Sequence, residues 1–261
     1  MSDRYTAKKR FGQHFLHDPQ VIERIVRSIN PQPGDVLAEI GPGLGALTQP
    51  LLQRLGRLHV VEIDRDVVPH LRGVCGDAPG LQIHLADALK FDYASLLPEG
   101  GMLRLAGNLP YNISTPLLFH LLGFAGQVRD MHFMLQKEVV DRLTAAPDTE
   151  DYGRLTVTMA ARAQADHLFN VGPGAFRPPP QVDSAVVRLT PRPAPFPITS
   201  LKRYDQVVMA AFSQRRKTLS NALRNLLPSE QISAAGIDPR ARGETLSPEQ
   251  FALLANRLPP S

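Results

Sequence analysis

Residues 107–114 read GNLPYNIS and follow the apolar run MLRLA, so a carboxamide (Asn108), a proline (Pro110) and an aromatic ring (Tyr111) crowd one corner at the end of an expected strand. A turn needs only Asn or Pro; the three together can do chemistry. The Asn108 side-chain oxygen and a backbone carbonyl, that of Leu109 or of Pro110, can accept from both N–H bonds of a flat exocyclic amine. Such acceptors favour a tetrahedral nitrogen whose lone pair is localised, which turns a poor nucleophile such as the amine of adenine into a usable one. Proline fixes the backbone angle that aims the carbonyl. Tyr111 offers a flat face to a base taken out of its stack.

A reaction partner is expected beside that corner. The run VLAEI (36–40) leads into Gly41-Pro42-Gly43-Leu44-Gly45, and glycines after a first strand let the backbone approach a ligand and expose helix N-terminal amides. Glu62 closes the next strand-like run, 21 residues after Gly41, where a carboxylate can hold both hydroxyls of a ribose. Asp87 closes the third. Carboxylates at the ends of successive parallel strands converge on one crevice. The dinucleotide pattern G-x-G-x-x-G is not met, because the third glycine comes one residue early and Pro42 stiffens the loop. S-adenosylmethionine, which has no pyrophosphate to cradle, fits better: ribose on Glu62, adenine amine on Asp87, aminoacyl end over the glycine turn. A dinucleotide, or carboxylates that merely cap strands, are the other readings. The sulfonium is already an activated leaving group, so positioning and polar preorganisation suffice without a strong general base.

The elements that must hold these groups follow from the pattern. Asp18-Pro19 starts a helix, with an acceptor at the N-cap and proline where no N–H is needed; Val21, Ile22, Ile25, Val26 and Ile29 give it one apolar face. Strand-length apolar runs at 36–40, 58–64, 81–87, 102–108 and 131–135 alternate with helical or loop segments, which predicts an α/β fold with a parallel, doubly wound, Rossmann-like sheet. Four prolines within residues 191–197 form a stiff connector. Beyond it the pattern is helical, and Ser247-Pro248 with Gln250 reads as a capping box. The expected division is a catalytic domain over 1–193, with a basic N-terminal segment over 1–18, and a small all-helical domain over 199–261.

The chain has 261 residues, 43% of them apolar, which supports a packed core and argues against disorder. The N-terminus lacks the apolar stretch of a signal peptide, and no run is long enough to cross a bilayer, so a cytoplasmic protein without membrane contact is expected. The one cysteine, Cys75, excludes an internal disulfide. His14, His17 and Asp18 lack further convergent ligands, and no metal is expected. Residues 200–261 carry nine Lys/Arg against five Asp/Glu, whereas the rest is balanced. Arg4, Lys8, Lys9 and Arg10 make the other end basic as well. Two basic ends suit a polyanion, with Arg215, Arg216 and Lys217 the densest cluster. Nothing indicates more than a monomer.

FGQHFL, EIGPGLGALT, EID, DAL, GNLPYNISTPLLFHLL, FRPPPQVDSAVV and AAFSQRRKTLSNAL together resemble the KsgA/RsmA-type rRNA adenine dimethyltransferases over essentially the whole chain. The resemblance implies a class I S-adenosylmethionine-dependent methyltransferase sheet. It also implies a substrate: two adjacent adenosines in the hairpin loop near the 3′ end of 16S rRNA, each dimethylated at N6 on an assembling 30S subunit. Carried over, cofactor contacts fall on His14, Leu16, Gly41, Glu62, Asp87 and Asn108, with Gly43 and Gly45 completing the turn. Phe176 is expected to hold the flipped base with Tyr111. The family most often has Asn where this chain has His14. Two rivals stand beside this reading: an Erm-type 23S rRNA methyltransferase, which STPLLFHLL and the SQRRKTLSNAL tail argue against, and an assembly factor that binds RNA without methylating it.

Overall fold

The computed structural model describes residues 13–76, 78–214 and 216–259. Arg4, Lys8, Lys9, Arg10, Phe11 and Arg215 lie outside the described residues. In chain order the elements are β1 (Phe15–Leu16), α1 (Pro19–Ile29), β2 (Val36–Ile40), α2 (Thr48–Leu55), β3 (Leu58–Glu62), α3 (Val68–Cys75), β4 (Leu81–Leu85), β5 (Leu103–Asn108), α4 (Ser114–Leu122) and β6 (Val128–Gln136). There follow α5 (Lys137–Thr144), α6 (Arg154–Ala160), β7 (Ala163–Val171), β8 (Phe176–Arg177), β9 (Ser184–Pro191), α7 (Leu201–Phe212), α8 (Leu219–Ala222), α9 (Ser229–Ala234) and α10 (Pro248–Ala255).

Seven strands form one sheet in the order β4-β3-β2-β5-β6-β9-β7. The first five are parallel, as expected for strands joined by helices, while β9 runs antiparallel to β6. The strand order reverses beside β2: β3 and β4 lie on one side of it, and the chain then returns to β5 on the other. In open α/β sheets the ligand crevice lies at that reversal, outside the carboxyl ends of the strands. Gly41 leaves β2 there and Asn108 ends β5 there.

Helix α1 starts as its sequence predicts. The Asp18 side chain accepts from the N–H groups of Gln20 (2.8 Å) and Val21 (3.3 Å), and Ile25, Val26 and Ile29 are buried. Ahead of it, β1 and β8 form a two-stranded antiparallel sheet with Phe15 opposite Arg177 and Leu16 opposite Phe176. This pairing, which has no sequence signal, brings residues 13–16 to the crevice.

The chain divides into two units, residues 13–140 with 166–191, and residues 141–165 with those from 192 onward. The division differs from the expected boundary near 193. Residues 141–165 group with the C-terminal helices because Tyr152, Val157 and Ala161 share a core with Tyr204, Val207 and Phe251. The Tyr152 hydroxyl also donates to the Leu246 carbonyl (2.6 Å), and that of Tyr204 to the Val157 carbonyl (2.9 Å). At the last helix, the Ser247–Gln250 capping box of α10 is formed in both directions. Among the described residues, no helix is long and apolar enough to cross a membrane.

Candidate active site

The carboxyl ends of β2, β3, β4 and β5 surround a cavity of about 250 Å³. Gly41 and Gly43 line it after β2, Glu62 at the end of β3, Asp87 beyond β4, and Asn108, Leu109, Pro110 and Tyr111 at the end of β5. His14 and Leu16 close it from the N-terminal segment. Those ten expected residues therefore meet in one place.

Two others do not. Gly45 turns away from the cavity: a side chain there would sit 3.1 Å from Leu71, so it serves the packing of the turn against α3. The Phe176 side chain is 2% exposed and belongs to the core beside Leu16, Val26 and Phe169. The β1–β8 register places Phe176 opposite Leu16, and both side chains join that core.

At the glycine turn, Gly43 has φ +51°, and a Cβ would lie 3.0 Å from the Phe15 ring. Only glycine allows both that backbone angle and a ring laid on the turn. Beyond β3, Glu62 is 6% exposed, and its Oε1 accepts from the N–H groups of Ile63 and Asp64, both at 2.9 Å. Burial raises the pKa of this carboxyl, against the opposing pull of the Asp64, Ile63 and Gly43 backbone donors. The carboxylate is thus oriented before any ligand arrives. Asp87 Oδ1 accepts from the Leu89 N–H at 3.0 Å, which fixes it at the crevice edge.

The catalytic corner is equally constrained. The Asn108 amide Nδ2 donates to the His14 carbonyl at 2.9 Å. That partner can only accept, so it settles which way the carboxamide faces and leaves Oδ1 as its acceptor. The Pro110 carbonyl already accepts from the Ile113 N–H (3.2 Å) and the Ser114 hydroxyl (3.0 Å), which uses both its lone pairs. Of the two backbone carbonyls considered, this leaves that of Leu109 as the candidate second acceptor. The Tyr111 hydroxyl is 2.7 Å from that of the fully buried Ser184.

Sequence reasoning missed Glu39, which lines the cavity floor at 1% exposure and accepts from the Thr48 hydroxyl at 2.6 Å. The available signal was a carboxylate inside the buried run VLAEI, where charge is rarely tolerated. Burial, with the Glu62 charge adding to it, pushes the Glu39 pKa up to about 8. Folded chains then hold a proton that unfolded chains release above the ordinary value of 4.5. The contribution of Glu39 to stability therefore falls as pH rises from that value to about 8, and levels off beyond. Its slope should approach 1.4 kcal/mol per pH unit in mid-range. Urea unfolding of the cofactor-free protein at pH 5.5 and 7.5 checks this: Glu39→Gln should flatten the decline, and an unchanged slope would mean that another group causes it. Ile63 was also missed. It is 49% exposed yet lines the cavity next to Glu62, an apolar wall suited to a flat ring.

A turn only glycine can make, a preoriented carboxylate and an apolar wall are features that fit S-adenosylmethionine. The solved structures agree with this fold and cofactor class. A dimethyladenosine transferase from Plasmodium falciparum superposes with a TM-score of 0.76 at 25% identity, over 92% of this chain and 96% of that one. The 23S rRNA methyltransferase ErmE gives 0.73 at 28%, over 94% and 99%. The sheet is that of the class I S-adenosylmethionine-dependent methyltransferases, as the motifs implied. Two curated relatives are the ribosomal RNA small subunit methyltransferases A of Nitrosococcus oceani and Pseudomonas aeruginosa. The first is 56% identical over 96% of this chain and 95% of its own length, and the second 54% over 99% and 97%. The family model described as ribosomal RNA adenine dimethylase matches residues 4–259. From sheet order to catalytic corner, the chain belongs to the ribosomal RNA adenine dimethylase family.

Proposed function

We propose that this chain dimethylates N6 of two adjacent adenosines in the 3′-terminal hairpin loop of 16S rRNA, on small subunits still being assembled. The observation that carries the proposal is the Asn108 carboxamide, locked by the His14 carbonyl with its oxygen left to accept, at the crevice where Glu62 and Asp87 converge. Asn108 Oδ1 and the Leu109 carbonyl accept from the two N–H groups of the adenine amine, and the Tyr111 face supports the ring. Glu62 holds the ribose of the cofactor, Asp87 the amine of its adenine, and the Gly41–Gly43 turn its aminoacyl end. S-adenosylmethionine, when bound, supplies an electrophilic methyl group on a sulfonium. The chain aligns the amine with that methyl and excludes water from the pair.

Contact with the RNA backbone falls to the basic segments. Arg216 and Lys217 are exposed, as phosphate ligands must be. Ribosomal RNA as the substrate supports work in the cytoplasm. The Erm-type alternative has the ErmE likeness behind it, but the identity there is about half that shared with the small-subunit relatives. Incubation with a radiolabelled methyl donor and, in parallel, undermethylated small subunits or 23S rRNA, followed by nucleoside analysis, tests the proposal. The expected product is N6,N6-dimethyladenosine in the 3′ segment of 16S rRNA. Label confined to 23S rRNA would move the chain to the Erm reading, and particle binding without label would leave the assembly factor.

A further inference from the structure

Tyr111 does not stand alone at the base site. The His14 imidazole is stacked on it, with ring centroids 5.5 Å apart and an interplanar angle of 27°. His14 Nδ1 lies 2.9 Å from the Pro178 carbonyl, which can only accept, so that nitrogen carries the proton. The His14 peptide is held separately, by Asn108 Nδ2 on its carbonyl and by the β1–β8 pairing of the next residue. Both rings line the cavity, whereas Phe176, expected as the second wall, lies in the core. The segment FRPPP thus reaches the site through the Pro178 carbonyl and the imidazole it orients.

We propose that His14 is a base-positioning residue: the target adenine is held between its imidazole and the Tyr111 ring. This deepens the proposed function and rests on it. Optimal contact between stacked atoms is about 3.5 Å, so a base between two rings needs them about 7 Å apart. The present 5.5 Å must therefore widen. Tyr111 is tied through its hydroxyl to buried Ser184, which makes it the fixed wall. His14 is the moving one, since its side chain can swing while its peptide stays pinned. Insertion replaces one ring–ring contact by two ring–base contacts, so stacking itself favours the opened state. A two-sided clamp reads shape and not hydrogen bonds, and accepts an amine that already bears one methyl.

The test uses the full-length protein with undermethylated small subunits and compares wild type, His14→Ala and His14→Phe. A base stack is worth roughly 5- to 150-fold in binding. At saturating cofactor, H14A should lower kcat/KM for the particles at least about 5-fold, while the unfolding midpoint stays close to wild type. H14F, which keeps a flat face but cannot reach Pro178 with a proton, should recover most of the loss. An H14A rate equal to or above wild type would overturn the proposal and make the imidazole a plug over Tyr111. An H14F no better than H14A would equally overturn it and assign His14 to polar contacts. Failure of the wild type itself to modify the particles would instead reject the parent reading.

Discussion

Asn108→Ala should lower methyl transfer by at least 10²–10³-fold, the usual cost of removing a preorganised polar group from a reacting centre, and leave association with small subunits within a few-fold of wild type. The substitution acts twice. It removes the acceptor that localises the amine lone pair, and it releases the His14 carbonyl from its 2.9 Å tie, so the segment that closes the cavity loses its anchor. Asn108→Asp separates the two effects. An aspartate keeps an acceptor for the amine but sets a second oxygen against the His14 carbonyl, where no donor remains. N108D should therefore bind S-adenosylmethionine more weakly than wild type and transfer slowly, whereas N108A, which loses the tie without gaining that repulsion, fails mainly in transfer. Single-turnover rates on undermethylated particles, read beside calorimetric cofactor affinities, distinguish these outcomes. Transfer at the wild-type rate in N108A would remove the carboxamide from the mechanism.

Gly107→Ala should be the most damaging one-methyl change at the site. A Cβ on Gly107 would lie 2.3 Å from the Ile40 carbonyl oxygen, a contact that no side-chain rotation relieves because the clash is with backbone. The strands β2 and β5 would have to part at the point where the sheet order reverses. Overpacking a tight core costs about 1–3 kcal/mol, and here the strain falls on two ladder strands, so a loss of about 3 kcal/mol is expected. Cofactor affinity should fall with it, because the Gly41 turn and the Asn108 corner are attached to those strands. Gly126→Ala is the control: a Cβ there meets nothing within 4 Å, and its effect should stay within about 0.5 kcal/mol. Urea midpoints of the two variants decide the matter. A G107A protein as stable as wild type would show that the crevice can be widened at that point without cost.

The parallel core of the sheet was legible because its strands are apolar runs, four of the five ended or closely followed by a residue of distinct chemistry: a glycine, Glu62, Asp87 or Asn108. The start of α1 was legible because a cap is a local device, complete within Asp18 to Val21. What stayed hidden depends on distant partners. Strands of two residues carry no periodicity, so the β1–β8 pair could not be read, and with it went the burial of Phe176 and the stacking of His14 on Tyr111. Residues 141–165 read as more of the catalytic domain because they precede the proline connector. Only the burial of Tyr152 and Val157 against α7 and α10 moves them to the helical unit. The carboxamide orientation was undecidable for the same reason, since the group that fixes it lies 94 residues away.

The strap formed by residues 13–16 also bears on how the enzyme is made. Its partners, Asn108 and the Phe176–Arg177 pair, leave the ribosome long after it does, so a segment synthesised early is among the last to find its place. A nascent chain can assemble β2, β3 and the glycine turn early, yet its crevice stays uncovered until residue 177 has emerged. Competence to hold cofactor thus arrives late in translation, set by the longest loop the chain has to close at this site.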